Sequence, residues 1–98
     1  MRIFSRKALR EFVEAGHADA EMALDNGFHI AKKEKWQNPQ QIKQIYPNAS
    51  IIANNRVVFN IKGNRYRLVC AIRYEIGFMF IRFIGTHAEY DKINAEEM

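Results

Sequence analysis

Between Lys35 and Arg82 the chain has only one acidic residue, Glu75, against eight cations: Lys35, Lys43, Arg56, Lys62, Arg65, Arg67, Arg73 and Arg82. The flanks differ. Residues 1–34 hold six charges of each sign, and residues 83–98 hold one cation and four acids. The net charge of +4 is therefore the residue of a strongly basic middle, and such a density selects polyanionic partners. A solvated basic face on an antiparallel sheet is the ordinary alternative; the scarcity of acids among these cations argues against it.

Other scarcities close off whole classes of function. With Cys70 as the one cysteine there is no intramolecular disulfide, and its apolar flanks describe a buried, inert thiol rather than a nucleophile. His17, His29 and His87 are too widely spaced to form a metal-ligand motif, so neither a metal nor a cofactor is expected. Ser5 and Ser50 are the only serines, and neither sits in a nucleophile-elbow context. No glycine-rich phosphate loop occurs. The aromatic-rich apolar run Phe78 to Ile81 ends at Arg82, far short of a bilayer span. The start, MRIFSRKALREF, has no apolar core before a small-residue cleavage site. These features predict a cytoplasmic protein with no membrane partner, and 98 residues predict a single domain, 1–98.

What is present reads as helices first and strands afterwards. Arg2 to Phe4 suits a short strand, and Ser5 suits the N-cap of a helix, RKALREFVEA, with Leu9, Phe12 and Val13 on one face. Gly16 stops that helix. A second, weaker pattern runs from Ala18 to Lys33 through Ala20, Leu24, Phe28 and Ala31. Trp36 reads as a hydrophobic plug in the connection. Asn38 and Pro39 then open a short third helix that Pro47 ends.

After Pro47 the period becomes two. Ile51 and Ile52 make a short strand, Asn54 and Asn55 a turn, and Arg56 to Lys62 a strand with Val57, Phe59 and Ile61 on its oily side. Gly63 and Asn64 turn the chain. Tyr66, Leu68, Cys70, Ile72 and Tyr74 next alternate with Arg65, Arg67, Val69, Ala71 and Arg73, which gathers the cations on one face. Phe78 to Thr86 is apolar on both sides and reads as an interior strand. Arg82 is its exception, and a charge in mid-strand must be paired or serve as a phosphate ligand.

Directly after that strand comes GTHAEYD, where Gly85 permits an irregular backbone and His87, Glu89, Tyr90 and Asp91 can donate, accept or orient protons. Cleavage of RNA by internal transesterification suits this inventory, because the substrate's own 2′-hydroxyl is the nucleophile. The protein must deprotonate that hydroxyl, protonate the leaving 5′-oxygen and stabilise charge on phosphorus. His87 and Tyr90 are the proton-transfer candidates, and Lys62, Arg67, Arg73 and Arg82 the cations. Imidazole alone has an ordinary pKa near neutrality, which ranks His87 first. His17 and His29 fit surface or helix-end roles better. Tyr66 and Tyr74 fall opposite the arginines, which weakens an RNA-binding sheet built on exposed stacking tyrosines.

The strings NNRVVFNIKGNRYRLV and FIRFIGTHAEYDKI resemble the HigB toxins of bacterial type II toxin–antitoxin systems, within the RelE-like superfamily of mRNA interferases. RKALREF and PQQIKQIYPNASI extend the likeness over nearly the whole chain. The resemblance implies an α+β, RelE-like fold: two N-terminal helices and a short third packed on a mostly antiparallel sheet of four to five strands. It implies cleavage of mRNA on the translating ribosome, a HigA-type antitoxin that neutralises the toxin, and contact with operator DNA only through that antitoxin. It places His87 and Tyr90 at the active site with Lys62 and Arg67 on the phosphate. Arg56, Arg65, Arg73, Arg82 and Asp91 complete the expected RNA-binding set. A non-catalytic nucleic-acid-binding or partner-binding module, or a co-repressor, would use the same basic sheet.

Overall fold

In a computed structural model that describes residues 1–98, five strands form one open mixed sheet in the order β1-β5-β4-β3-β2. The elements run β1 (Arg2–Phe4), α1 (Arg6–Glu14), a 3₁₀ turn at Ala18–Ala20, α2 (Glu21–Lys33) and α3 (Pro39–Ile45). They continue with β2 (Ser50–Ile52), β3 (Arg56–Ile61), β4 (Tyr66–Arg73), β5 (Phe78–Thr86) and a four-residue α4 (His87–Tyr90). β1 lies parallel to β5, and the other three pairings are antiparallel. The α+β class and the mostly antiparallel sheet agree with expectation. No helix is long and apolar enough to cross a membrane.

Capping chemistry sets the helix starts unevenly. Asn38 caps α3 by accepting from the Gln41 backbone N–H at 3.1 Å, with Pro39 supplying a preset φ at the first helical position. Ser5 occupies the N-cap site of α1, yet its side chain makes no capping bond. Between β2 and β3 the turn needs left-handed backbone, and Asn54 (φ 62) and Asn55 (φ 59) supply it at low cost.

Period-two alternation divides the sheet into two faces. Val57, Phe59 and Ile61 from β3 join Tyr66, Cys70 and Ile72 from β4 and Met79 from β5 in the main core, against Phe12, Leu24, Ala31, Trp36 and Ile42 from the helical layer. Val57, Cys70, Ile72 and Ile42 are fully buried, and each large apolar side chain of this kind contributes roughly 1.5–3 kcal/mol. Trp36 is 2% exposed and plugs the core as read. Burial pushes the Cys70 thiol up to about 12, so it is no nucleophile at physiological pH. Under α2, where Ala23 and Gly27 fill little space, an apolar hollow of about 200 Å³ remains between helix and sheet.

On the opposite face the chain covers the sheet with its own C-terminal segment. Val58 and Val69 pack with Ala95, flanked by Ile52, Phe83, Tyr90 and Ile93. The Arg56 guanidinium ties this segment down by donating to the Met98 main-chain oxygen from Nε at 3.2 Å and Nη2 at 2.5 Å. Asn54 Nδ2 adds a bond to the Glu96 carbonyl at 3.0 Å.

The strand-level reading of Arg82 changes here. Val69 pairs with Phe83 and Cys70 with Ile81, so Arg82 is the extra residue of a β-bulge with no partner across the ladder. The bulge turns Arg82 outward to solvent and brings Ile84 back to the side of Met79 and Ile81. An arginine in mid-strand therefore costs little burial, and no salt bridge is required of it.

Candidate active site and nucleic-acid face

Gly85 pairs with Arg67 across β4 and β5, and Tyr66 pairs with Thr86, so the start of β4 and the end of β5 meet at one end of the sheet. The chain then turns directly into α4 rather than into an irregular loop. Thr86 and Glu89 close a reciprocal capping box: Thr86 Oγ1 accepts from the Glu89 N–H at 3.2 Å, and Glu89 Oε1 accepts from the Thr86 N–H at 2.8 Å. The His87 N–H, another free donor of the first turn, reaches the Arg65 carbonyl at 3.3 Å. His87 is thus fixed at the first helical position by bonds on both sides. The T-x-x-E spacing that signals the box stands in the sequence at Thr86 and Glu89.

Gly85 has a steric reason. A Cβ there would come within 2.6 Å of the Phe83 ring and 3.0 Å of Glu89 Oε1. The missing side chain lets the cap fold back over the strand end.

The capping box makes a stability prediction with a pH sign. Hydrogen bonds from the Thr86 backbone first, and from its side chain second, hold the Glu89 carboxyl below the usual carboxylate range. A depressed folded-state pKa gives stability that is complete above the ordinary carboxylate pKa and is lost as pH falls through the folded value. Thr86→Ala should cost about 1 kcal/mol near neutral pH. In thermal melts, the gap between wild type and Glu89→Gln should narrow steadily as the pH is lowered past the carboxylate range; a pH-independent gap would refute the box.

One turn of α4 brings His87 and Asp91 together, with His87 Nδ1 3.3 Å from Asp91 Oδ2 and both side chains at least half exposed, at 50% and 62%. A proton on Nδ1 donated to Asp91 leaves Nε2 as the free, solvent-facing nitrogen. Asp91, counted among the expected RNA contacts, is a carboxylate engaged with His87, and its charge would repel a phosphate. Orienting the imidazole suits it better.

Arg67 lies on the other side of Tyr90. Its Nη1 donates to Asn60 Oδ1 at 2.6 Å, its guanidinium carbon is 5.5 Å from the Tyr90 ring centroid, and its Nε is buried with no protein acceptor. Tyr90 is half-buried against Val58 and Val69, which fixes the ring. A buried N–H donor without an acceptor costs about 1–3 kcal/mol, and an anion at this point would recover it.

The remaining expected contacts scatter. Lys62 is exposed at the β3–β4 turn with a left-handed φ of 55, at the same end of the sheet. Arg65 pairs with Asp19 at 3.4 Å, and Asp19 also accepts from the Tyr66 hydroxyl at 2.5 Å. That hydroxyl, then the nearby Arg65 and Lys62 charges, hold the Asp19 carboxyl low. Arg73 donates to Glu75 at 2.7 Å at the far end of β4. Arg82 and Arg73 are exposed, whereas Arg56 is spent on the C-terminal segment. His17 takes the helix-end role: its ring stacks on Phe12 with centroids 3.9 Å apart, and Nδ1 lies 3.0 Å from the Phe12 carbonyl oxygen in the last turn of α1. His87, Asp91, Tyr90, Arg67, Asn60 and Lys62 therefore gather at one end. Asn60 was missed because only its pairing with Arg67 gives it a role.

Comparison with known proteins gives one consistent result. The model of the family described as HigB_toxin, RelE-like toxic component of a toxin-antitoxin system, matches residues 20–93. The chain is 29% identical over 99 residues to the mRNA interferase toxin HigB of Escherichia coli K12, covering 97% of this chain and 92% of the relative. It is 27% identical over 95 residues to the mRNA interferase HigB of E. coli O6:H1, covering 95% and 91%. The mRNA interferase HigB of Shigella flexneri matches at 29% over 99 residues.

Proposed function

The chain belongs to the HigB toxin family of RelE-like toxic components, and from that premise we propose an endoribonuclease that cuts translated mRNA on the ribosome by internal transesterification. Its relatives carry the name mRNA interferase, and their coverage of nearly the whole chain supports the same activity here. What most supports the mechanism is the gathering of His87, Tyr90 and Arg67 at the end of β5, with the Arg67 Nε lacking a protein acceptor.

The geometry supports the following roles. His87 Nε2, freed by the Nδ1 contact with Asp91, removes the proton from the substrate 2′-hydroxyl. The 2′-oxygen attacks phosphorus, the P–O5′ bond breaks, and the 5′-oxygen takes a proton, leaving a 2′,3′-cyclic phosphate and a 5′-hydroxyl. Arg67, with Lys62 from the β3–β4 turn at the same end of the sheet, stabilises the charge that builds on the phosphoryl oxygens. Tyr90 serves as the second proton-transfer group or orients the phosphate through its ring contact with Arg67. The proposed set needs no metal ion, because His87 and Tyr90 would supply the proton transfers and Arg67 and Lys62 the charge stabilisation.

With one exposed imidazole at the site, substrate positioning must come from outside, and a ribosome holding mRNA supplies it. The partner that neutralises this toxin is a HigA-type antitoxin, through which the pair reaches operator DNA.

Purified protein added to a translating extract should leave mRNA fragments with 5′-hydroxyl and 2′,3′-cyclic phosphate ends, and a 2′-deoxy substitution at the cut site should block cleavage. Fragments bearing 5′-phosphates would refute the mechanism. Equal rates on short naked RNA would remove the ribosome from the reading.

A further inference from the structure

Away from the catalytic end, the face of the sheet that bears Arg67 carries three partly buried phenylalanines whose only cover is arginine side chains. β1 and β5 run parallel with Arg2 beside Phe78 and Phe4 beside Phe80. Phe4 and Phe80 stack with centroids 5.3 Å apart at 19°, and Phe78 meets Phe4 edge-on at 5.3 Å and Phe80 at 6.1 Å. The helical layer lies on the other side, beyond Ile3 and Met79. The C-terminal segment covers Val58 and Val69 and reaches only as far as Phe83. Three aromatic rings thus form a continuous half-open surface at the first half of β5.

Arginines frame it. The Arg2 guanidinium carbon is 5.7 Å from both the Phe4 and Phe78 centroids, and that of Arg82 is 5.4 Å from Phe80. Arg73, opposite Phe78 in the ladder, stands beside them, and the one nearby acid, Glu75, is paired with it. The β-bulge places Arg82 here by freeing it from the ladder.

We infer that Phe4, Phe78 and Phe80 form a stacking platform for the bases of single-stranded RNA, with Arg2, Arg82 and Arg73 as its phosphate contacts. This rests on the RNA substrate proposed above and adds where the strand continues beyond the cut. Every base has a π-face, so exposed rings bind single strands with little sequence preference, and cations between them track the backbone. In free protein the guanidiniums lie over the rings; a stacked base displaces them toward phosphates at little cost. A protein partner with an apolar face would fit the rings but leave Arg2 and Arg82 without acceptors, which favours RNA. From Phe80 to Gly85 along β5 is roughly 15 Å, so one extended strand can touch both the platform and the catalytic end.

The test is binding of a short fluorescent single-stranded RNA to the full chain, with Phe80→Leu and Phe78→Leu keeping apolar volume while removing the stacking ring. Each should weaken binding on the order of tenfold or more. Arg2→Gln and Arg82→Gln should each flatten the dependence of log affinity on log salt by about 0.7. A fully base-paired RNA, whose bases cannot stack on protein, should be insensitive to Phe80→Leu. Single-strand affinity unchanged in both leucine variants, or loss of antitoxin binding alone, would overturn the platform and leave the cleavage reading intact. Wild-type protein that neither binds nor cuts RNA would overturn both.

Discussion

His87→Ala should lose cleavage by about 10²- to 10⁴-fold, the usual contribution of a positioned acid–base group, while RNA affinity and melting temperature stay near wild type. The separation is expected because the side chain is half exposed and makes one contact, to Asp91, and its backbone bond to Arg65 survives the substitution. What alanine removes is the free imidazole nitrogen at the end of β5. Asp91→Asn should cost less, because an amide oxygen still accepts from Nδ1; it should slow turnover with little change in affinity. Single-turnover cleavage of a translated message separates these outcomes. Full cleavage by the alanine variant would reject His87 as the base and move that role to Tyr90.

Much of this site was legible from local pattern. The alternation of Val57, Phe59 and Ile61 with Arg56, Val58, Asn60 and Lys62 marks a strand and its core-facing side, but it could not show that Val58 on the other face is also buried, beneath Ala95. The cluster after Gly85 stood out because GTHAEYD combines a conformational breaker with four proton-handling side chains. Pairings distant in sequence were not legible. Arg65 is engaged by Asp19 and Arg56 by the C-terminal segment, and in each case the partner lies more than 40 residues away. Phe4 joins Phe80 only through a parallel pairing of the first strand with the last, so the aromatic platform has no local signature. The bulge at Arg82 is similar: an odd residue count between two paired segments appears only once the partner strand is in place.

Arg67 carries the second large effect. Arg67→Ala should reduce cleavage by about 10²- to 10³-fold, the loss typical of removing one donor to transition-state charge. Arg67→Lys should recover little of it. The guanidinium is held as a fork, with Nη1 on Asn60 Oδ1 at 2.6 Å, the plane near the Tyr90 ring and Nε unpaired, and an ammonium can hold only one of those positions at a time. Asn60→Ala keeps the charge but removes the bond that aims it, so it should fall between wild type and Arg67→Lys. Removing an arginine from the catalytic end also lowers RNA affinity through charge alone, and the salt dependence isolates that share. If the charge acted only in binding, cleavage of bound RNA at saturating protein would return to the wild-type rate in Arg67→Ala. A turnover defect that persists at saturation, in the order Asn60→Ala, Arg67→Lys, Arg67→Ala, is the result expected of a guanidinium that meets the phosphoryl group in the transition state.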